Sequence, residues 1–455
     1  MYSAIHRAAG TGGRRSRASF LIRRRSSTPP AVPMPGSAAT RLLLCATLCL
    51  PLPLRAQSAP APADTAGPPA GAAAAEPAQE AAGPFTTEIR FAQFVQGPVA
   101  GGRLEKGEYG GRLEMELKVD TRKLGLWAGG TLDALVATRY GESASPHTGA
   151  AVPVNIALID PTSSGTATSL TALNYTQLFP FGKPGNAFVV ALGRFSTLAM
   201  VPDATGMTGY LNVAQLAPTH EARNIPAVTL GAVLDLVLGG EPVATLLVID
   251  SRNSQMTSGL SELFANGVTV SPAFILPTRF FGKGGHQGLR ATWSSQEITP
   301  FDEIPHLILP RPDTAVTVEK ESGGWSLTYT ADQYLQESPG PPHTGWRLYW
   351  QAGVADEETN PIGRYFNVGI GGTSPFRGRG LDRFGVAWAY TGFSGDFKEL
   401  LGRLVEIEDE QSLEMFYNVA LAPWIRFTGD LQVVWPFLPG TDTAIVPGAR
   451  LQLVF

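Results

Sequence analysis

Cysteine and charge are scarce in this chain of 455 residues. Two cysteines occur, Cys45 and Cys49, and charged residues make up 16% of the sequence. Both cysteines lie in one apolar stretch near the start, so a protein cut after that stretch has no thiol for a disulfide, a thiolate metal site or a cysteine nucleophile. With 51 glycines and 37 prolines as well, the composition is not that of a helical bundle or a charged disordered chain.

Positive charge is scarce beyond residue 56. Residues 1–56 hold nine arginines and no acid, which leaves 26 basic and 39 acidic side chains, a net charge of about −13, in residues 57–455. A nucleic-acid partner is not expected, because no excess of basic side chains remains to neutralise phosphates.

Long apolar runs are absent too. The run 42–54 follows Arg41 and precedes a small-residue cut after Ala56, and it is too short to cross ~30 Å of hydrocarbon as a helix. We therefore predict that residues 1–56 are a secretory signal region. Translation would start at Met34, or else the signal has a long basic front.

Two further features belong to this N-terminal part. Lipoprotein processing at Cys45 or Cys49 is disfavoured, because a leucine rather than a small residue precedes each. Residues 57–84 contain no aromatic or large aliphatic side chain, so they cannot bury enough surface to offset the entropy of ordering. We predict a disordered Ala/Pro-rich leader there and a folded unit over residues 85–455.

The predicted folded unit is rich in alternating apolar and polar residues. This period-two pattern indicates strands with one apolar and one polar face. In 112–120 one face is Leu113, Met115, Leu117 and Val119, and the opposite face is wholly charged. Seventeen segments show such a pattern, near 88–96, 112–120, 124–139, 152–159, 169–180, 186–197, 227–238, 243–251, 267–275, 287–294, 324–334, 345–354, 364–372, 383–391, 411–422, 424–435 and 445–455. Because bacterial single-chain barrels close with an even number, we expect about sixteen strands, with one segment belonging to a bent strand or a loop.

Alternation alone does not distinguish a soluble β-protein from a membrane barrel with a polar lumen. Three features favour an all-β, transmembrane antiparallel barrel: export without cysteine, a terminal alternating strand ending on Phe455, and aromatic residues near strand ends. Those aromatic residues are Trp346, Trp350, Trp388, Tyr390, Trp424 and Trp435. Segments 392–410 and 436–444 then become outer loops, and 396–405 has a helical period with Asp396 as its cap.

The C-terminal half resembles the carbohydrate-selective porins of the OprB type. The matching segments are FGKGGHQGLRATWSS (281–295), GGWSLTYTADQYL (323–335), TGWRLYWQAGVAD (344–356), NPIGRYFNVGIGGTSPFRGRGLDRFGVAWAY (360–390) and LEMFYNVALAPWIRFTGDLQVVWPFLPGTDTAIVPGARLQLVF (413–455). A further match, ALGRFSTLAM (191–200), lies before that half. The resemblance implies a sixteen-stranded barrel in a Gram-negative outer membrane that passes sugars by diffusion, with no cofactor and no catalysis.

Motifs that resemble enzyme sites have simpler interpretations. Segments 179–185 and 280–285 contain Gly-Lys but lack the following Ser/Thr and helix of a phosphate loop, so we predict β-turns. The six histidines are isolated and show no metal-ligand spacing. No Ser/His constellation of an outer-membrane hydrolase is visible in the sequence.

The polar strand faces are the predicted functional surface, because side chains in a wide lumen keep their water. The pore-lining candidates are Arg112, Glu114, Glu116, Lys118, Arg347, Tyr349, Gln351, Asn367, Glu414, Asn418, Asp430, Gln432, Arg450 and Gln452. The alternative for each is a wall residue paired with its neighbour strand. Arg377, Arg379, Asp382 and Arg383 fall on a connection predicted at the periplasmic end, where they stabilise a turn.

We therefore expect an outer-membrane porin for carbohydrates that contacts lipid and is recognised by the barrel-assembly machinery at its Phe455 end. A porin for another small polar solute and a soluble, secreted, ligand-binding β-protein remain open alternatives. The sequence does not decide the sugar or the oligomeric state.

Overall fold

The computed structural model describes residues 83–159, 161, 165–198, 219–305, 320–337 and 345–455. The predicted signal region, residues 1–56, and residues 57–82 of the predicted leader lie outside the described residues. Within the described ranges, no α-helix is long and apolar enough to span a lipid bilayer.

Strands dominate the described chain, and short helices lie in the connections between them. The strands are β1 Phe85–Gln96, β2 Ala100–Gly102, β3 Glu108–Asp120, β4 Gly130–Gly141, β5 Ala167–Pro180, β6 Ala187–Ser196, β7 Val228–Leu238, β8 Glu241–Asp250, β9 Val268–Phe280, β10 Lys283–Ser294, β11 Gly324–Glu337, β12 Gly345–Ala355, β13 Ile362–Thr373, β14 Arg383–Phe393, β15 Glu410–Ala422, β16 Ile425–Trp435 and β17 Asp442–Val454. The α-helices are α1 Ser145–Thr148 and α2 Gly395–Gly402. Two 3-10 turns lie at Ile156–Leu158 and Thr219–Glu221.

The strands close into an antiparallel barrel of sixteen strands. From β3 to β17 each strand pairs with the next, and β1 completes the ring by pairing with both β3 and β17. Arg90 lies opposite Glu114 on one side and opposite Val454 on the other. The three-residue β2 adds a short pairing to β17 at Ala100 and Gly102, so it extends the seam and is not a seventeenth barrel strand.

Sixteen of the seventeen predicted segments correspond to barrel strands. The strand predicted at 152–159 is wrong, because this segment holds the 3-10 turn Ile156–Leu158 and lies in the connection between β4 and β5. The strand predicted at 124–139 begins at Gly130, because residues 121–129 form a turn.

The two faces of each strand differ as the alternation predicts. On β3, Met115 and Leu117 point outward with exposed fractions of 50% and 38%, whereas the intervening Glu114 and Glu116 point inward and pair with Arg90. An outward charge at the middle of a bilayer costs about 2–4 kcal/mol for an arginine or lysine. The apolar outer face and the charged inner face therefore fit a barrel immersed in lipid.

The two ends of the barrel have different connections. One end, which we call the short-turn end, has the connections 121–129, 181–186, 239–240, 281–282, 374–382 and 423–424, together with the strand ends Glu337 of β11 and Gly345 of β12. The opposite end, the long-loop end, has 97–107, 142–166, 197–227, 251–267, 295–323, 356–361, 394–409 and 436–441. Phe85 and Phe455 both lie at the short-turn end.

Helix α2 occupies the long loop 394–409, as the helical period predicts, but its cap is not Asp396. The Ser394 hydroxyl accepts a hydrogen bond from the backbone N–H of Phe397 at 3.2 Å, which makes Ser394 the N-cap. Asp396 lies in the first turn, where its charge favours the helix dipole. The buried Phe397 packs with Phe301 and Phe393, so the helix folds down onto the long-loop end.

The predicted aromatic positions are only partly at strand ends. Trp346 and Trp435 lie at the ends of β12 and β16, and Trp424 precedes β16. Trp350 and Trp388 occupy the middle of β12 and β14, so the prediction that they belong to an end girdle is wrong.

The buried apolar core lies inside the barrel, where loops pack against the inner wall. On one side Val154 of the connection 142–166 packs against Val434 and Val446. On another, Val233 and Ile249 of β7 and β8 form a cluster with Ile225. Apolar patches on the inner wall therefore mark where the connections fold inward.

Candidate pore constriction

Two segments fold into the lumen and narrow it. We call the described residues of 142–166 the first inner loop and residues 219–227 the second inner loop. Between them and the wall lies a cavity of about 610 Å³. The geometry of this cavity depends on how each loop is held.

The first inner loop is fastened by hydrogen bonds to its backbone. The carbonyl of Val154 accepts from the side-chain amides of Gln432 at 2.9 Å and Gln96 at 3.1 Å. The carboxylate of Glu410 accepts from the backbone N–H groups of Ala151 at 2.6 Å and Val152 at 3.0 Å. Side chains from three strands thus satisfy buried backbone groups that would otherwise be costly.

Apolar contacts and a local cap shape the same loop. Leu158 packs on the inward-facing Phe94 of β1, and the Asn155 side chain accepts from the Ala157 N–H at 3.1 Å, which caps the 3-10 turn. Arg139 donates to the carbonyl of Pro161 at 2.9 Å. The loop therefore lies against β1, β4 and β15–β17.

The second inner loop is fastened on the opposite wall through His220. Its ring Nε2 lies 2.8 Å from the Thr328 hydroxyl of β11, and its ring stacks on Tyr365 with 5.7 Å between centroids. Asn360 donates to the His220 carbonyl at 2.7 Å. Burial lowers the pKa of His220 below its ordinary value, and the nearby Glu221 offsets this only in part.

An ion pair from this loop faces the cavity. Arg290 of β10 lies 3.0 Å from Glu221 and its side chain is 32% exposed, whereas that of Glu221 is 5% exposed. Glu221 also accepts a hydrogen bond from the Thr328 hydroxyl. The cavity lining includes both charged residues together with Leu247 and Ile225, so it offers a donor, an acceptor and an apolar surface.

The four predicted residues on β3 lie on the inner face in one charged network. Arg90 lies 2.8 Å from Glu116 and 3.4 Å from Glu114. Arg112 lies 2.8 Å from Glu114, and Lys118 lies 2.8 Å from Glu116. These residues pair across and along strands.

Six predicted residues on β15–β17 lie on the inner face on the side that holds the first inner loop. Asn418 donates to Thr428 at 2.7 Å, and Arg450 donates to the same hydroxyl at 3.2 Å. The six residues are Glu414, Asn418, Asp430, Gln432, Arg450 and Gln452. Glu414, Asn418 and Gln432 are fully buried, so in this arrangement they support the wall and the loop.

The remaining four predicted residues lie on β12 and β13. Arg347 lies 3.1 Å from Asp332 and donates to the Tyr334 hydroxyl at 2.8 Å. Tyr349, Gln351 and Asn367 are almost fully buried in the wall.

Arg377, Arg379 and Asp382 lie in the connection 374–382 at the short-turn end, and Arg383 begins β14 beside it. Asp382 is buried and accepts from Arg379 at 2.6 Å, from the Tyr417 hydroxyl at 2.9 Å and from the backbone N–H of Ala420 at 2.9 Å. Arg383 donates to the Gly380 carbonyl at 3.2 Å. These contacts hold the turn together.

Sequence reasoning missed the residues that form the constriction itself. Arg290 lies in a predicted strand and could have been found from its alternation, because it shares a face with Thr292. Glu221, His220 and the first inner loop carried no local signal, since their partners are far away in the chain.

Comparison with known proteins places this architecture in a family. A sequence profile described as "Carbohydrate-selective porin, OprB family" matches residues 105–455. Porin B of Pseudomonas aeruginosa is 26% identical over 151 residues, 29% of this chain and 32% of that protein. The chain thus matches about a third of the length of that relative.

A solved structure shares the fold. The high-pH structure of Pseudomonas putida OprB is 18% identical, with a TM-score of 0.68 over 82% of this chain and 94% of that chain. This likeness identifies the same barrel architecture. Because the family profile covers most of the chain, the chain belongs to the OprB family of carbohydrate-selective porins.

Proposed function

We propose that this chain forms a water-filled channel in the outer membrane of a Gram-negative bacterium and lets carbohydrates diffuse through it. The supporting observation is the charged cavity of about 610 Å³ between the two inner loops. Its volume falls in the range of roughly 300–1,000 Å³ that is usual for sites of small molecules. The family name adds carbohydrate as the solute class.

The chemistry of the cavity suits a neutral, hydroxyl-rich solute. Glu221 can accept hydrogen bonds from sugar hydroxyls, and Arg290 can donate to them. Leu247 and Ile225 line the same cavity and match the weakly apolar C–H face of a sugar ring. Arg290 and Glu221 neutralise each other, so this pair needs no charge on the solute, although Arg223 and Arg252 also line the cavity. Contacts of this kind are weak enough for the solute to leave.

The fourteen residues predicted to line the pore have a supporting part in this proposal. The network of Arg90 with Glu114 and Glu116 keeps the wall polar and hydrated on one side. Gln432 holds the first inner loop through the Val154 carbonyl. In this proposal these residues keep the inner wall polar and hold the first inner loop in place, whereas the solute contacts the residues of the cavity.

The remaining assignments concern export and orientation. Residues 1–56 would direct export, and residues 57–84 would link the signal to the barrel. The short-turn end would face the periplasm and the outward apolar face would contact lipid. The assembly machinery would recognise the strand that ends on Phe455.

Single-channel recording of the detergent-purified mature chain in a planar bilayer, titrated with glucose and maltose, tests the proposal. We expect discrete open steps that both sugars reduce. In Arg290→Gln the sugar concentration for half-block should rise about tenfold, since a hydrogen bond to a charged group contributes about 1.5–3 kcal/mol. The matched control is Arg403→Gln, whose side chain is 57% exposed at the long-loop end.

The outcomes separate the alternatives. Steps that neither sugar reduces, combined with cation selectivity, would assign the pore to another small polar solute. No steps from a folded barrel, recognised by its changed gel mobility after boiling, would reject the channel.

A further inference from the structure

The connections at the two ends of the barrel carry opposite charge. Among the described residues, the connections of the short-turn end contain five basic residues and one acid, whereas those of the long-loop end contain seven basic residues and sixteen acids. The one acid within these turns, Asp382, is buried and already paired with Arg379. Acidic residues at the adjoining strand ends are Asp120, Glu241 and Glu337, so the excess of positive charge belongs to the turns themselves.

The same turns expose aromatic side chains beside the basic ones. Trp127 is 56% exposed and shares the turn 121–129 with Arg122 and Lys123. Phe376 is 64% exposed and precedes Arg377. We call the turns 121–129, 181–186, 281–282 and 374–382 the basic–aromatic rim.

The turn 374–382 leans over the outer face of the barrel. Its Phe376 ring lies 5.9 Å from the ring of Tyr417, and the Tyr417 hydroxyl is 2.9 Å from the Ser374 hydroxyl. Tyr417 lies on the same outward face of β15 as the exposed Met415. Arg377, whose side chain is exposed, is thereby held at the edge of the lipid-facing surface.

Phe281 adds an independent observation. Its backbone has a φ of 53° and its side chain is 99% exposed. A positive φ is unfavourable for a bulky residue, and full exposure of its ring to water brings no compensating burial. Contact of the ring with a lipid headgroup region would provide the missing burial, because aromatic rings are favoured at that depth.

We propose that the basic–aromatic rim binds the phosphate groups of anionic phospholipids in the leaflet at the short-turn end. Arginine binds phosphate through two parallel hydrogen bonds, and an anionic leaflet attracts cations at its surface. Trp127, Phe281 and Phe376 sit in the headgroup region beside them. The acidic long-loop end lacks this charge complementarity.

This inference rests on the proposed insertion of the barrel into a membrane, so the test uses protein whose folding is established first. The full mature chain is purified in detergent, checked for changed gel mobility on boiling, and mixed with equal amounts of phosphatidylglycerol and phosphatidylcholine. Native mass spectrometry then gives the ratio of the two lipids bound per barrel. The test variant is Arg122→Gln with Arg377→Gln, and the control is Lys320→Gln with Arg403→Gln, which removes equal charge at the long-loop end.

We expect the wild type and the control to prefer phosphatidylglycerol, and the preference of the rim variant to fall at least about fivefold. That factor corresponds to about 1 kcal/mol for one cation at an anionic surface. An unchanged preference in the folded rim variant would overturn the proposal. An equal loss of lipid preference in the rim and control variants would also overturn the proposal. If the rim variant keeps its lipid preference but no longer sediments with peptidoglycan, the rim binds the cell wall instead, and the proposal is again overturned. A barrel that fails to conduct yet keeps the preference would reject the channel function alone.

Discussion

Gly353 shows how a single missing side chain positions the constriction. It lies on the inner face of β12, and a Cβ atom there would meet the His220 ring at 2.1 Å. The close approach of the second inner loop to the wall therefore requires glycine at this position.

We predict that Gly353→Ala displaces His220 and destabilises the protein by about 1–3 kcal/mol, the usual effect of overpacking. Single-channel conductance should increase, because the displaced second inner loop no longer narrows the lumen. Gly429→Ala is the control, since a Cβ at Gly429 meets nothing within 4 Å. Equal conductance in the two variants would contradict the assigned role of Gly353.

The backbone of Phe281 has an unfavourable positive φ, whereas that of Phe280 does not. This difference allows the strain at Phe281 to be tested. We predict that Phe281→Asn raises the stability of the detergent-solubilised barrel by about 1 kcal/mol, because asparagine tolerates the left-handed region. Phe280→Asn, whose backbone is not left-handed, should bring no such gain. Chemical unfolding of both variants in the same detergent measures the difference, and equal midpoints would refute the strain.

At the scale of elements, the first inner loop depends on a shared acceptor. Gln96 and Gln432 both donate to the Val154 carbonyl, so either one alone still satisfies it. We predict that Gln96→Leu and Gln432→Leu each cost about 1 kcal/mol, and that the double variant costs more than their sum because the buried carbonyl is then unpaired. Unfolding free energies of the four proteins give the coupling, and strict additivity would mean that Val154 finds another donor.

The second inner loop should respond to acid. His220 has a lowered pKa because it is buried, so the undocked imidazole takes up a proton more readily than the docked one. Its stabilisation is then complete above its ordinary pKa of 6.5 and is lost as the pH falls through that value. The groups that face it are Thr328, Glu221 with Arg290, and Tyr365.

We therefore predict that the melting temperature of the wild type falls between pH 7.5 and 5.5. In His220→Gln it should be lower at pH 7.5 and should change less over the same interval. A parallel decrease in both proteins would assign the acid response to other groups.

The sequence predicts an element well where the environment of each side chain follows from its place along the strand, and poorly where its contacts are distant in the chain. The alternation in β3 correctly predicts a strand, because one face of β3 meets lipid and the other meets the polar lumen. An equally clear alternation occurs in a loop, at Val152, Val154, Ile156 and Leu158. Val154 and Leu158 pack against apolar patches of the inner wall, which produces the same pattern as a strand. His220 meets Thr328 across 108 positions, and no local pattern encodes such a contact.

At the scale of the whole molecule, the barrel depends on its seam. Removal of residues 451–455 deletes four of the seven residue pairs between β17 and β1, together with pairs to β16. We predict that the shortened protein loses the compact form that resists detergent, whereas Phe455→Ala, which removes only a ring stacked on Trp424, keeps it. Gel mobility before and after boiling measures this, and a compact shortened protein would show that the seam is dispensable.

The seam also constrains the order in which the molecule can form. Arg90 and Val454 are paired although they lie about 360 positions apart in the chain, and contacts of such separation form slowly. Until the last strand has been synthesised, β1 has an unsatisfied edge of the kind that promotes aggregation. Closure of the barrel therefore follows synthesis of the last strand and does not accompany it, so β1 needs protection from other strand edges until then.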